Sequence, residues 1–172
     1  MTRHRVRLEG PKRYEITVTG HDTYAVVNEQ GGPRFTSPAT KRGPKVYAFA
    51  DGDRLIYVGQ TSQRMAGRMR LGFKADGTTG YYGYRWRHSV RLVGCYVWSL
   101  HAVTGAEALH ALECIESEIV FSYRQKFGQW PLFQTEIHFH QSTPDHRKLA
   151  EEILGHFPGV RPGALAVSET RR

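Results

Sequence analysis

Four side chains in the middle of this sequence have the chemistry to bind an anionic group and a divalent cation. Tyr47 and Tyr57 lie in two successive β-branched and aromatic segments, and Arg68 and Glu116 lie further along the chain. A guanidinium offers a phosphate or carboxylate a fixed, forked positive charge, and a glutamate offers Mg²⁺ a hard oxygen ligand. If the two tyrosine segments pair as a hairpin, both hydroxyl groups can reach one side of a common site.

The local sequence predicts the elements that would position these side chains. Strands at 45–50 and 55–58 flank an Asp-Gly turn, which is a strong hairpin signal. A helix that Ser62 would cap follows, with Met65 and Met69 on its apolar face. Residues 91–100 predict a third strand, and 105–126 predict a long helix that ends at Gly128 and Pro131.

The flanking segments complete an α+β fold. Apolar and polar residues alternate in 5–28, which predicts a hairpin, and 30–44 is a Pro- and Gly-rich linker. Near the end of the sequence, 135–140 predicts a short strand and 144–156 predicts a further helix. We therefore expect a small antiparallel or mixed β-sheet flanked by helices, with an extra N-terminal β-hairpin. The predicted organisation is 1–44 for hairpin and linker, 45–140 for the core, and 141–172 for the C-terminal helix and tail.

Five short motifs in order resemble the GIY-YIG nuclease superfamily. Val46-Tyr47-Ala48 and Tyr57-Val58-Gly59 look like the two halves of the motif that names the family, and the first half is degenerate. Arg68 stands nine residues after Gly59, about where the family has its arginine. Glu116 is followed by apolar residues at three and four positions, and 131–134 (PLFQ) resembles the closing segment of the motif set. The resemblance covers residues 45–134.

The resemblance implies a nuclease with a GIY-YIG-like core and assigns roles to the matching residues. Tyr47 and Tyr57 would position and deprotonate the attacking water, and Arg68 would bind the phosphate. Glu116 would hold one divalent cation, Mg²⁺ or in its place Mn²⁺, which acts as Lewis acid and leaving-group clamp.

Some assignments stay open at the level of sequence. Glu118 is a rival metal ligand, although it lacks the apolar pattern that follows Glu116. Gln134 stands where the family usually has asparagine, and its side chain ends in the same amide group but is one methylene longer. Gln134 and Gly59 are expected to have structural roles in the site. Lys74 and His88 are the preferred candidates for an additional proton acceptor, beside the tyrosines of the loop between them.

The charge of the chain points to a polyanionic partner. The 172 residues carry a net charge of +8, and residues 1–91 hold 17 Lys and Arg against 7 Asp and Glu. A surface of this kind attracts nucleic acid first and anionic membrane second. No apolar run approaches the ~20 residues of a membrane span, and the N-terminus lacks the apolar stretch of a secretory signal. We therefore expect a cytoplasmic protein that binds DNA and does not bind a membrane.

A basic and aromatic stretch is the predicted DNA-binding surface, with plain aromatic packing as the alternative. Tyrosine, tryptophan and arginine interleave in 77–88, a pattern suited to stacking on bases and gripping phosphates. The predicted contacts are Arg64, Arg70, Lys74, Tyr81, Tyr82, Tyr84, Arg85, Trp86 and Arg87.

Histidines and cysteines offer weaker signals. His138 and His140 alternate in a predicted strand with His146 nearby, so a zinc site is conceivable, but a third well-spaced ligand is lacking. Cys95 and Cys114 lie in apolar surroundings and predict buried free thiols in a reducing compartment.

These observations predict a metal-dependent DNA endonuclease that hydrolyses phosphodiester bonds. A chain of this size has little room for a separate DNA-reading domain, so dimerisation is one way to gain specificity, as in stand-alone restriction enzymes of the family. A repair, homing or mobile-element nuclease is the close alternative. A catalytically inactive nucleic-acid-binding module that keeps the fold and the charge is the alternative from another class.

Overall fold

The computed structural model describes residues 6–78, 82–101 and 104–159. Five strands and three α-helices follow in the order β1 (Arg7–Val18), β2 (Tyr24–Asn28), β3 (Lys45–Asp51), β4 (Arg54–Thr61), α1 (Met65–Lys74), β5 (Leu92–His101), α2 (Gly105–Phe127) and α3 (Pro144–Leu154). A single-turn 3-10 helix, Arg85–His88, stands between α1 and β5. The prediction of an α+β fold with a small antiparallel sheet and flanking helices is confirmed.

All five strands form one antiparallel sheet in the order β2-β1-β5-β3-β4. The N-terminal hairpin is continuous with the rest, because β1 pairs with β5 from Arg7↔His101 to Thr17↔Leu92. β4 is the edge strand on the side of the two tyrosine segments. The hairpin pairing of β3 with β4 sets Tyr47 opposite Gly59 and Phe49 opposite Tyr57.

Alternation along the strands divides the core between the two faces of the sheet. Val46, Ala48 and Ala50 of β3 pack with the apolar sides of α2 and α3. Tyr47 and Phe49 point to the opposite face, where the buried residues of α1 cover them. The sheet therefore carries α2 and α3 on one face and α1 on the other.

Two of the helix ends follow local sequence signals, and the start of α1 does not. Gly128 ends α2 in the left-handed conformation (φ 74°), as predicted. Thr143 and His146 cap the start of α3 reciprocally. The exception is α1, where Arg64 rather than Ser62 takes the N-cap position and no side chain caps the helix.

The predicted strand at 135–140 is wrong: this segment has neither strand nor helix. It runs beside α2 and is held by side-chain contacts described below, so its alternating sequence does not reflect a ladder. The two cysteines are free and buried, as predicted. None of the helices in the described ranges combines the length and the apolar composition needed to cross a membrane.

Candidate active site

Tyr47 is positioned by a glycine on the neighbouring strand. Tyr47 and Gly59 are directly paired across β3 and β4, and a Cβ atom added at Gly59 would lie 2.5 Å from the Tyr47 hydroxyl oxygen. Gly59 therefore leaves the space in which the Tyr47 ring lies along the sheet. The ring centroids of Tyr47 and Tyr57 are 6.2 Å apart, so the two motif tyrosines share one face, as the hairpin predicted.

The Tyr47 hydroxyl is the centre of a buried hydrogen-bond cluster. The Nε atom of Arg68 donates to the Tyr47 hydroxyl oxygen at 2.9 Å, and the Tyr84 hydroxyl donates to the same oxygen at 3.0 Å. The Arg68 guanidinium carbon also lies 6.0 Å from the centre of the Tyr84 ring. These contacts fix the plane of the guanidinium, which is the requirement for a directional phosphate ligand.

The two tyrosines differ in their access to solvent. Tyr47 is fully buried, whereas Tyr57 is half-buried. Solvent therefore reaches the Tyr57 side chain, whereas the Tyr47 hydroxyl is enclosed and accepts from Arg68.

Glu116 lies on α2 at the wall of a cavity of about 370 Å³. Burial raises the pKa of its carboxyl to about 7, while the Arg68 charge lowers that pKa and the Glu113 charge raises it. Glu116 and Arg68 thus interact electrostatically although α2 and α1, which carry them, cover opposite faces of the sheet. Gln60 of β4 also lines this cavity.

The rival carboxylate, Glu118, has a different environment. Its side chain accepts a hydrogen bond from the Ser142 hydroxyl, and it is not among the residues that line the cavity. The geometry thus separates Glu116, which faces the open space, from Glu118, which is engaged with the segment before α3.

Gln134 attaches the closing segment to the sheet edge. Its side-chain carbonyl accepts from the Val58 backbone N–H at 3.0 Å, and the Phe133 N–H donates to the Ile56 carbonyl at 2.9 Å. The longer amide arm thus reaches the backbone of β4, and Gln134 also lines the cavity beside Glu116.

The two candidate proton acceptors lie elsewhere. Lys74 and His88 line a separate cavity of about 560 Å³ together with His21, Arg85 and Arg87. Burial lowers the pKa of His88, and Arg87, His21 and Arg85 lower it further by charge repulsion. Neither Lys74 nor His88 lines the cavity of Glu116, so the structure does not bring them together with that carboxylate.

The predicted DNA-binding set divides by burial. Exposed side chains are Arg64, Arg70, Lys74, Tyr82 and Arg85, whereas Tyr84, Trp86 and Arg87 are buried. Tyr81 lies outside the described residues. The prediction is therefore revised for the three buried side chains, which pack in the core and present no stacking surface.

Packing explains why these three side chains face inward. Tyr84 covers Gly72 of α1, where an added Cβ atom would collide with its ring. Arg87 donates to the carbonyl oxygens of Gly72 at 3.1 Å and Ala75 at 3.0 Å, so it ties the 3-10 helix to the end of α1.

Sequence reasoning missed several residues around Glu116. Gln60, Glu113 and Glu136 line the cavity together with His138 and His140. Glu113 was detectable, because it lies one helical turn before Glu116 on the same side of α2. The position of 136–140 depends on tertiary contacts and carries no local signal.

Comparison with known proteins gives no family assignment. A scan of family models and searches of curated proteins and of solved structures found no match to this chain.

Proposed function

We propose that this protein is a divalent-metal-dependent DNA endonuclease of the GIY-YIG type. The observation that carries the proposal is the hydrogen bond of Arg68 to Tyr47, with Glu116 within electrostatic range and facing an open cavity. Tyr47 and Glu116 are 69 positions apart in the sequence, and Arg68 interacts with both of them. Motif matches that arose by chance would have no reason to be connected in this way.

The residues around Glu116 suit a hard divalent cation. The carboxylate is partly withdrawn from water, its negative form is disfavoured by burial, and the adjacent cavity has room for water ligands. A cation there would stabilise the ionised carboxylate and supply Lewis acidity toward a phosphate oxygen. Mg²⁺ fits a site with one carboxylate and several waters, and Mn²⁺ is the expected substitute.

The protein's own side chains then have separate tasks. Arg68, held in plane by Tyr47, binds the scissile phosphate and stabilises the charge that develops on it. Tyr57, whose side chain is half-buried, orients the attacking water through its hydroxyl. Gln134 holds the closing segment against β4 and thereby fixes one wall of the cavity.

DNA is the proposed substrate because of the surface charge. The cavity that Lys74 and Arg85 line is rich in basic side chains, with Asp76 as its one carboxylate among the described residues. Such a surface binds phosphates without reading sequence. Whether the biological role is restriction, repair or mobile-element cleavage, the same chemistry applies, and a homodimer would allow both strands to be cut.

Plasmid cleavage with Mg²⁺ tests the proposal. We expect wild type to nick or linearise supercoiled DNA, and Glu116→Ala and Arg68→Ala to lose at least about a hundredfold in rate. Glu118→Ala is the matched control on the same helix and should keep most of the activity. EDTA should abolish cleavage.

Two outcomes would overturn parts of the proposal. Wild type that binds DNA but leaves plasmid intact with Mg²⁺ and with Mn²⁺ would identify a binding module instead of an enzyme. Loss of cleavage in Glu118→Ala with retention in Glu116→Ala would reverse the assignment of the metal ligand.

A further inference from the structure

A second group of potential metal ligands lies one helical turn from Glu116. His110 and Glu113 are three positions apart on α2, so their side chains share one helix face, and His140 reaches them from the segment after α2. The three ligand atoms all lie within 4.8 Å of one another. This grouping differs from the one the sequence indicated, which joined His140 to His138 and His146.

We propose that His110, Glu113 and His140 bind a zinc ion. The Glu113 Oε2 and His140 Nε2 atoms are 3.5 Å apart, close to the separation of about 3.3 Å between neighbouring ligands in a tetrahedral zinc site. Two imidazoles and one carboxylate are a ligand set that zinc accepts, with water at the fourth position. Mg²⁺ strongly prefers oxygen ligands and would not compete well here.

The segment that carries His140 is already held in place without the ion. Phe139 packs edge-on against Phe121 of α2 with 6.3 Å between ring centroids. The Cys114 thiol lies 3.7 Å from the Gln141 carbonyl oxygen, and Ser142 bonds to Glu118. These three contacts flank His140, so the chain presents its imidazole to α2 before any ion binds, which lowers the entropic cost of binding.

The neighbouring histidines are placed differently. His146 accepts the Thr143 backbone N–H with its Nδ1 atom at 3.3 Å, as part of the cap of α3. His138 is exposed and lines the cavity of Glu116, but it is not a member of the ligand group. His110 is exposed and Glu113 and His140 are half-buried, so an ion can enter from solvent.

A zinc ion would add one more link between 135–143 and α2, at a wall of the Glu116 cavity. This segment has no hydrogen-bond ladder of its own, and both Glu113 and His140 line that cavity. The inference does not depend on nuclease activity, because its ligands exclude Tyr47, Tyr57, Arg68 and Glu116. The alternative is a plain ion pair between Glu113 and His140, which would not respond to zinc.

Zinc binding to the metal-stripped full chain at pH 7.5 tests the inference, read by competition with a chromophoric chelator and by thermal unfolding. We expect one zinc ion per chain and a zinc-dependent rise in melting temperature. His140→Ala and Glu113→Gln should each weaken zinc binding about a hundredfold and abolish that rise. Circular dichroism would establish that both variants are folded.

His138→Ala and Glu136→Gln are the matched controls, a histidine and a carboxylate from the same segment as His140. Both should bind zinc within about twofold of wild type, since neither belongs to the ligand set. Absence of stoichiometric zinc binding in wild type would overturn the inference. Weakening of zinc binding in His138→Ala or in Glu136→Gln as large as in His140→Ala would also overturn it, because the ion would then lie elsewhere.

Discussion

At the scale of single residues, Glu116 combines a position in the proposed active site with a cost to stability. Its pKa is raised from 4.5 to about 7, chiefly by burial. Between these two pH values the folded chain binds more protons at this carboxyl than the unfolded chain does. The stabilisation from the protonated form is therefore complete below about pH 4.5 and is lost as the pH rises through 7.

Glu116→Gln should consequently become stabilising as the pH rises. Glutamine mimics the neutral carboxyl, so we expect the variant to gain on the order of 1 to 3 kcal/mol over wild type between pH 5 and pH 8. Urea unfolding at the two pH values measures this difference. Glu151→Gln, at an exposed position of α3, controls for the loss of one negative charge. A pH-independent difference between Glu116→Gln and wild type would contradict the raised pKa.

At the scale of elements, the β3–β4 hairpin determines where Arg68 points. Gly59 leaves room for the Tyr47 ring, Tyr47 accepts from Arg68, and Arg68 belongs to the helix that packs on the same sheet face. A side chain at residue 59 would therefore disturb the site through the tyrosine, without touching the arginine directly.

Gly59→Ala should lower the free energy of unfolding by about 1 to 3 kcal/mol, because the Tyr47 ring must shift. DNA cleavage should fall as well, since the Arg68 hydrogen bond moves with that ring. Gly67→Ala in α1 is the control: its added Cβ atom would meet nothing closer than the Gln63 Oε1 atom at 3.6 Å, so we expect it to be neutral or stabilising by up to about 1 kcal/mol. Chemical unfolding of both variants measures the effect, and equal stability would refute the packing argument.

Local patterns in the sequence predicted most elements but not their long-range contacts. The Asp-Gly turn gave the β3–β4 hairpin and Gly128 gave the end of α2, because both signals act within a few residues. The pairing of β1 with β5 joins segments about 80 positions apart, and no local signal encodes that. The strand predicted at 135–140 is absent because this segment pairs with no strand and contacts α2 through side chains instead.

The candidate site shows the same division between local and tertiary information. The placement of Tyr47 and Tyr57 on one face followed from strand alternation. The burial of Tyr84 and Trp86 could not be predicted from the sequence pattern, because it depends on the space above Gly72 and on the aromatic cluster around Phe49. Interleaved aromatic and basic residues are compatible with either a core or a binding surface, and only tertiary packing distinguishes the two.

At the scale of the whole molecule, the basic charge is concentrated in the first half of the sequence, and burial decides which of its cations are accessible. Residues 1–91 hold 17 of the 24 Lys and Arg, but burial removes some from any binding surface. Lys45 is almost completely buried and donates to the Gly43 and Gln63 carbonyls, and burial lowers its pKa to about 8. Arg87 is likewise committed to backbone carbonyls. The exposed cations of α1 and the following loop stay available for phosphate contacts, as do the exposed cations of β1 and of the segment before β3.

The salt dependence of DNA binding should identify those cations. Lys74 and Arg85 are exposed and line one cavity, so the double variant Lys74→Ala/Arg85→Ala should reduce the slope of log K against log salt by about 2. Arg147→Ala/Lys148→Ala removes the same charge from exposed positions of α3 and should leave the slope unchanged. Fluorescence anisotropy with a short duplex over a range of salt concentrations, in the absence of Mg²⁺, measures both slopes. Equal reductions for the two variants would mean that DNA is held by net charge alone, without a defined surface at the end of α1.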